Sequence, residues 1–217
     1  IGCSLKYRIL FISAEMTASQ ISLRKDVVLG RIFGYNFSHR ALRSGDPINE
    51  DDYKKFLLEI KEGRTVICNH IREGALTLAA IASKVRKFRP NLIIIDGIQL
   101  LTVDNKRSAA WERMQELFYG AKNLALSNDL SVLISTQANR GAADIFSPPQ
   151  PQDIALGDAL LQASDVAMSM CRVEDEPKQA KIYFQKFRDM EFPKDYVILD
   201  FDPDSGIIAE RKVKEEE

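Results

Sequence analysis

Short apolar runs alternate with helical segments along most of this chain, and this alternation constrains its fold more than any other feature. The runs are rich in Ile, Val and Leu and end in polar or turn-forming residues, which is typical of buried parallel strands. They span residues 8–13, 65–68, 91–95, 131–135 and 165–170. Residues with helical spacing lie between them, at 17–33, 50–62, 76–88 and 109–128. The pattern predicts an α/β fold with βαβ units and a mostly parallel sheet flanked by helices.

The last third of the sequence has a different pattern. Residues 181–188 and 196–202 are predicted to be consecutive strands, with Pro193 and Lys194 in the connection. Such strands pair antiparallel, so we predict a C-terminal antiparallel ribbon on the edge of the sheet. A chain of 217 residues is long enough for one sizeable core, and we expect a single domain over residues 1–217.

Composition and charge limit the class of protein. The formal net charge is −1, so any affinity for nucleic acid depends on local basic patches. Cys3, Cys68 and Cys171 are far apart and form no CxxC pair, which indicates neither a disulfide framework nor a zinc site. No apolar run reaches the roughly 20 residues that span a bilayer, and residues 1–16 do not have the order of a signal peptide. We therefore expect a cytoplasmic protein without a membrane partner.

Two of the apolar strands end in a carboxylate. Residues 92–95 lead to Asp96, which is the form of a Walker B element, where a carboxylate holds the water shell of Mg²⁺ beside nucleotide phosphates. Residues 11–14 lead to Glu15, which can polarise a water molecule if the two strands are neighbours. Either carboxylate could instead serve the N-terminus of the following helix. Together the two residues favour a hydrolytic site.

Two further features follow or end predicted strands. The run at residues 131–135 leads to Gln137, a neutral amide that can hydrogen-bond a terminal phosphate and report its presence to the following loop. Alternation along residues 186–188 places Lys186 and Arg188 on one side of a strand. These cations could clamp the nucleotide of a neighbouring subunit, or could simply protect a solvated edge strand.

These elements occur in the order that is found in the motor of DnaB-like replicative helicases, and the resemblance covers nearly the whole chain. The similar segments are residues 11–16, 42–46, 49–53, 92–101, 135–140, 157–165 and 186–188. The resemblance implies a RecA-like P-loop NTPase core that binds ATP and Mg²⁺. The resemblance also implies which residues take part in hydrolysis. They are the catalytic Glu15, the metal-binding Asp96, the phosphate sensor Gln137 and the trans-acting fingers Lys186 and Arg188.

The resemblance also implies the partners of the protein. It predicts a ring of six subunits around single-stranded DNA, with a primase or a helicase loader as a further partner. The DNA would be contacted from two polar loops by Lys106, Arg107, Asn139 and Arg140.

The sequence departs from the family pattern in two places. The family has a phosphate loop of the form GxxxxGK[ST], or Walker A, before the Glu15 strand, yet no Gly-Lys pair occurs in the 217 residues. We expect that the chain starts after this loop and does not hydrolyse ATP by itself. The usual Asn and Gly after the finger arginine are replaced by Asp189 and Met190, which suggests a divergent, phage-encoded relative.

Two other functions stay open on the sequence alone. One is a strand-exchange recombinase or a clock-type relative of RecA. The other is a RecA-like scaffold that has lost catalysis and serves as an assembly or loader module, which the lack of a phosphate loop supports.

Overall fold

The structure, a computed structural model, describes residues 7–60, 65–69, 76–103, 109–137, 145–149, 157–188, 191 and 196–211. The described residues form two compact units. The first unit contains those up to Thr136 together with Asp204–Gly206, and the second contains the others.

The first unit is built on a four-stranded parallel sheet. Its strands are β1 (Ile9–Ser13), β2 (Thr65–Asn69), β3 (Leu92–Asp96) and β4 (Ser131–Ile134). They are ordered β2-β1-β3-β4 and all three pairings are parallel. Each strand end lies within one residue of the position predicted from the apolar runs. The predicted parallel sheet is therefore confirmed for these four strands.

Within the described residues, the first unit contains five α-helices. They are α1 (Ala18–Ile32), α2 (His39–Ser44), α3 (Glu50–Glu59), α4 (Leu78–Phe88) and α5 (Ala110–Asn128). The start of α3 follows from its sequence, because the Asn49 side chain accepts a hydrogen bond from the Asp52 amide and acidic residues fill the first turn. Helix α2 was not predicted. Among the described helices, none combines the length and apolar character that crossing a membrane requires.

The core of the first unit is formed by side chains of the central strands and of the inward face of α1. Leu10, Ile12, Ile93 and Ile95 on the two central strands, β1 and β3, are completely buried. A second buried cluster packs α1 and the segment before α2 against α3. Its buried members are Val27, Leu29, Phe37 and Phe56. Val27 and Leu29 therefore mark the face of α1 that packs into the core.

The second unit contains a four-stranded antiparallel sheet. The strands of this sheet are β5 (Val166–Val173), β6 (Glu176–Phe187), β7 (Tyr196–Asp202) and β8 (Ile207–Glu210), in the order β5-β6-β7-β8. Helix α6 (Gly157–Ala163) precedes β5. The predicted antiparallel pairing of the two C-terminal strands is confirmed for β6 and β7. Their predicted place on the edge of the parallel sheet is wrong, since they belong to a separate antiparallel sheet. The prediction of a parallel strand at residues 165–170 is wrong, since β5 pairs antiparallel with β6. The cause is the tight turn at Glu174 and Asp175, which folds β6 directly back onto β5.

Candidate functional site

The carboxyl ends of β1 and β3 form one edge of the parallel sheet. Ser13 is in register with Asp96 across the β1–β3 pair, and the Ala14 amide donates to the Asp96 carbonyl oxygen at 3.1 Å. Glu15 comes two residues after Ser13. The structure thus brings Glu15 and Asp96 to the same sheet edge, as the sequence predicts for neighbouring strands that end in carboxylates.

Two serine hydroxyls hold the half-buried carboxylate of Asp96. Ser13 Oγ donates to Asp96 Oδ2 at 3.0 Å, and Ser135 Oγ donates to Asp96 Oδ1 at 3.0 Å. These serines lie at the ends of the strands on either side of β3, so the strand order β1-β3-β4 produces the arrangement. Ser135 Oγ in turn accepts from the Gly97 amide at 3.0 Å. Hydroxyl donation to an ionised carboxylate is strong, so the Asp96 side chain has a fixed orientation.

Glu15 is exposed, and its side chain lies against Gly97 and Gln99. Gln99 Nε2 donates to Glu15 Oε1 at 3.2 Å. Gly97 has a φ of +81°, and a Cβ atom placed on it would lie 2.9 Å from Glu15 Cγ. Only glycine satisfies both the left-handed backbone and this close approach. The turn after β3 therefore positions the carboxylate that follows β1.

Lys186 and Arg188 lie together at the C-terminal end of α6. Lys186 Nζ donates to the Leu161 carbonyl oxygen and, at 2.8 Å, to that of Ser164. Arg188 donates to the Gln162 carbonyl oxygen at 3.3 Å, and its guanidinium lies 3.1 Å from Asp165 Oδ1. Cations at a helix C-terminus satisfy its last carbonyl groups and interact favourably with the helix dipole. Both cations thus contact the C-terminal end of α6, each through partners of its own.

The other residues with a predicted function are placed less fully. Gln137 is exposed and follows β4 by three residues. The four predicted DNA-contacting residues lie outside the described part of the chain, namely Lys106, Arg107, Asn139 and Arg140.

The structure adds residues that sequence reasoning did not assign to the site. Ser13 and Ser135 are polar residues at the ends of apolar strands, which is the signal that could have revealed them, since the ends of parallel strands meet at one edge. Gln99 and Asp165 stand inside segments that resemble the helicase family, but their contacts with Glu15 and Arg188 depend on the folded chain.

Comparison with known proteins identifies the family of this chain. Residues 2–204 match the DnaB-like helicase C terminal domain family. The chain is 26% identical over 203 residues to the replicative DNA helicase DnaB of Mycobacterium leprae (strain TN), an alignment that covers 86% of this chain and 32% of the relative. The chain thus spans about a third of the length of this curated relative.

Two solved structures share the fold. One is an ATPase domain, with a TM-score of 0.78 and 17% identity over 94% of this chain and 75% of that chain. The other, described as a DnaB-like replicative helicase and its interactions with primase, has a TM-score of 0.78 and 19% identity over 93% of this chain and 50% of that chain. At such identities these likenesses establish the RecA-like fold alone. With the family match over residues 2–204, the chain belongs to the DnaB-like helicase C-terminal domain family.

Proposed function

We propose that residues 1–217 form most of the motor domain of a replicative DNA helicase that hydrolyses ATP and moves along single-stranded DNA, and that these residues do not hydrolyse ATP by themselves because they contain no Walker A motif. The observation that carries the proposal is the pairing of Glu15 and Asp96 at one sheet edge, each held by a polar neighbour. One carboxylate to serve a metal and a second to act on water are two of the groups that phosphoryl transfer to water uses.

Asp96 is the residue that we propose for Mg²⁺. Each carboxylate oxygen accepts one serine hydroxyl, and a carboxylate oxygen has a further lone pair for a metal or its water shell. Among the described residues, no group of three or more His, Cys, Asp and Glu side chains could surround an ion. Mg²⁺ is suited to such a place, because it keeps several waters and takes one or two carboxylates beside substrate phosphates. The donor set therefore fits this ion.

Glu15 is the residue that we propose to orient the attacking water and accept its proton. Its side chain is exposed, so water reaches it, and Gln99 holds one of its oxygens. A positioned general base of this kind contributes about 10²- to 10⁴-fold to a rate.

The remaining roles follow the family resemblance. We propose that Gln137 senses the terminal phosphate, and that Lys186 and Arg188 act on the nucleotide of a neighbouring subunit in a ring of six. Single-stranded DNA is the proposed ligand of the loops that contain Lys106, Arg107, Asn139 and Arg140. A primase or loader is the proposed partner, and the cytoplasm of a bacterial or phage-infected cell is the proposed location.

One observation favours a second candidate function. The 217 residues contain no Gly-Lys pair, and such a pair is part of the phosphate-binding motif GxxxxGK[ST]. A RecA-like scaffold without hydrolysis, acting in helicase assembly or loading, would need no such loop. The retained pair Glu15 and Asp96 favours the motor.

The test is ATP hydrolysis by the full-length gene product, with and without single-stranded DNA. Glu15→Gln should lower kcat by about 100-fold or more while ATP binding is retained. Asp96→Asn should raise the Mg²⁺ requirement. Glu116→Gln, which changes an exposed glutamate on α5, is the matched control and should behave as the wild type. Wild-type protein without hydrolysis would support the scaffold, and filaments instead of six-membered rings in electron micrographs would support a recombinase.

A further inference from the structure

The hydroxyl of Ser13 lies between the two segments that carry Asp96 and Glu15. Ser13 is completely buried, and its Oγ donates to Asp96 Oδ2 at 3.0 Å. The same oxygen accepts from the Met16 amide at 2.9 Å and from the Glu15 amide at 3.3 Å. A hydroxyl has one proton to donate and two lone pairs. All three are used here, one on the metal-site carboxylate and two on the turn that carries the glutamate.

Ser135 provides a contrast within the same network. Its hydroxyl donates to Asp96 Oδ1 and accepts from the Gly97 amide, both at 3.0 Å. The first bond holds Asp96 from the other side of β3, and the second holds the turn after β3. The Ser13 hydroxyl instead holds the turn after β1. The two serines therefore hold the same carboxylate but differ in whether they also shape the Glu15 turn.

We propose that Ser13 is a positioning residue for both carboxylates, so that metal binding at Asp96 and water activation by Glu15 depend on a single hydroxyl. This inference rests on the proposed function. It assigns Ser135 a different role, which is to orient Asp96 and to hold the Gly97 amide in the turn after β3. Polar groups that orient a metal-binding carboxylate commonly affect metal affinity or activity by about 10- to 100-fold.

The test compares three serine-to-alanine variants in the full-length gene product. Ser13→Ala and Ser135→Ala should each raise the half-saturating Mg²⁺ concentration about tenfold. Ser13→Ala should also lower kcat at saturating Mg²⁺ by about tenfold, which is more than Ser135→Ala does, because it alone releases the backbone of the Glu15 turn. Ser38→Ala is the matched control: Ser38 donates to the Asp204 carboxylate and accepts from the Ala41 amide, the same chemistry away from the Glu15 and Asp96 strand ends. It should change neither quantity.

A second measurement needs neither ATP nor metal. Amide hydrogen exchange in the 217-residue chain should accelerate at Met16 in Ser13→Ala and at Gly97 in Ser135→Ala, and each variant should leave the other amide protected. If Ser13→Ala does not fold, Ser13→Cys fills the position with a somewhat larger side chain and weakens all three bonds, and a smaller shift in the same directions is expected.

Several outcomes would overturn the inference. These are an unchanged kcat in Ser13→Ala, an equal loss of kcat in Ser135→Ala, or an unchanged exchange rate at Met16. Failure of the proposed function has a different signature, which is hydrolysis that persists in both Glu15→Gln and Asp96→Asn. In that case the exchange measurement still decides whether Ser13 fixes the turn.

Discussion

Gln99 Nε2 donates a hydrogen bond of 3.2 Å to Glu15 Oε1, and so joins the turn after β3 to the turn after β1. The other polar atom of the same amide, Gln99 Oε1, is buried and has no hydrogen-bond partner in the part of the chain that the structure describes. A buried acceptor without a partner costs about 1–3 kcal/mol. Gln99 therefore orients Glu15 through one atom of its amide, while the other atom lowers the stability of the fold.

Gln99→Met is expected to separate these two effects. Methionine keeps the length of the side chain but removes both the donor to Glu15 and the unpartnered oxygen. The free energy of unfolding should stay the same or rise by up to about 1 kcal/mol, while kcat for ATP hydrolysis should fall about tenfold. Urea unfolding and steady-state kinetics of the same sample measure the two quantities. A variant that loses stability and keeps kcat would contradict this role for Gln99.

Gly97→Ala is expected to damage hydrolysis more than folding. The residue has a φ of +81°, and its new Cβ would lie 2.9 Å from Glu15 Cγ. Gly45→Ala is the matched control, because Gly45 has a φ of +75° and a Cβ added there would meet no described atom within 4 Å beyond its chain neighbours. Both variants should lose about 1 kcal/mol of stability from the left-handed backbone. Only Gly97→Ala should also displace Glu15 and lower kcat, so equal kinetics in the two variants would count against the close approach.

Alkaline pH is expected to destabilise the fold through Tyr53. Burial, followed by the hydrogen bond of 2.9 Å to Asp26 Oδ2, raises the pKa of Tyr53 to about 12 from an ordinary value of 10.0. A raised folded-state pKa contributes stability that is complete below pH 10 and is lost as the pH rises through about 12. After allowance for solvent screening of this partly exposed pair, the loss should be about 1 kcal/mol.

Urea unfolding at about pH 9 and about pH 11.5 checks this window in the wild type and in Tyr53→Phe. The variant should lose less stability on going to the higher pH. Tyr35 contributes in the same direction, since its hydrogen bond to Glu59 raises its pKa. Tyr35→Phe combined with Tyr53→Phe should therefore flatten the dependence further. An identical pH dependence in wild type and Tyr53→Phe would show that the pair does not titrate in this way.

For one physical reason, the sequence predicted the parallel sheet and, provided that their strands are neighbours, a common edge for Glu15 and Asp96. Apolar runs that end in carboxylates identify strand ends, and the carboxyl ends of parallel strands share an edge. The serines that hold Asp96 could not be found in this way. Their partner depends on the order β1-β3-β4, and no local pattern specifies which strands become neighbours.

The two helices that the sequence did not predict are short. Helix α2 has six residues and none of them is buried, so it leaves no apolar periodicity to detect. Helix α6 has seven residues. The strand at residues 165–170 was assigned to the parallel sheet because its apolar run resembles the others, although the turn at Asp175 pairs it with β6. Because α6 was not predicted, the contacts of Lys186 and Arg188 with the end of this helix were not predicted either.

The cations at the end of α6 lead to the last prediction. Arg188 contacts Asp165 within its own chain, and the proposed function requires it to act on a neighbour's nucleotide. Arg188→Ala and Glu15→Gln should each abolish hydrolysis. Rings mixed from equal amounts of the two variants should regain activity, because about a quarter of their interfaces pair an intact Glu15 with an intact Arg188. Arg188→Ala mixed with the double variant Arg188→Ala/Glu15→Gln contains no intact finger and should stay inactive. If exchange of subunits is verified and the first mixture stays as inactive as the second, Arg188 does not act in trans.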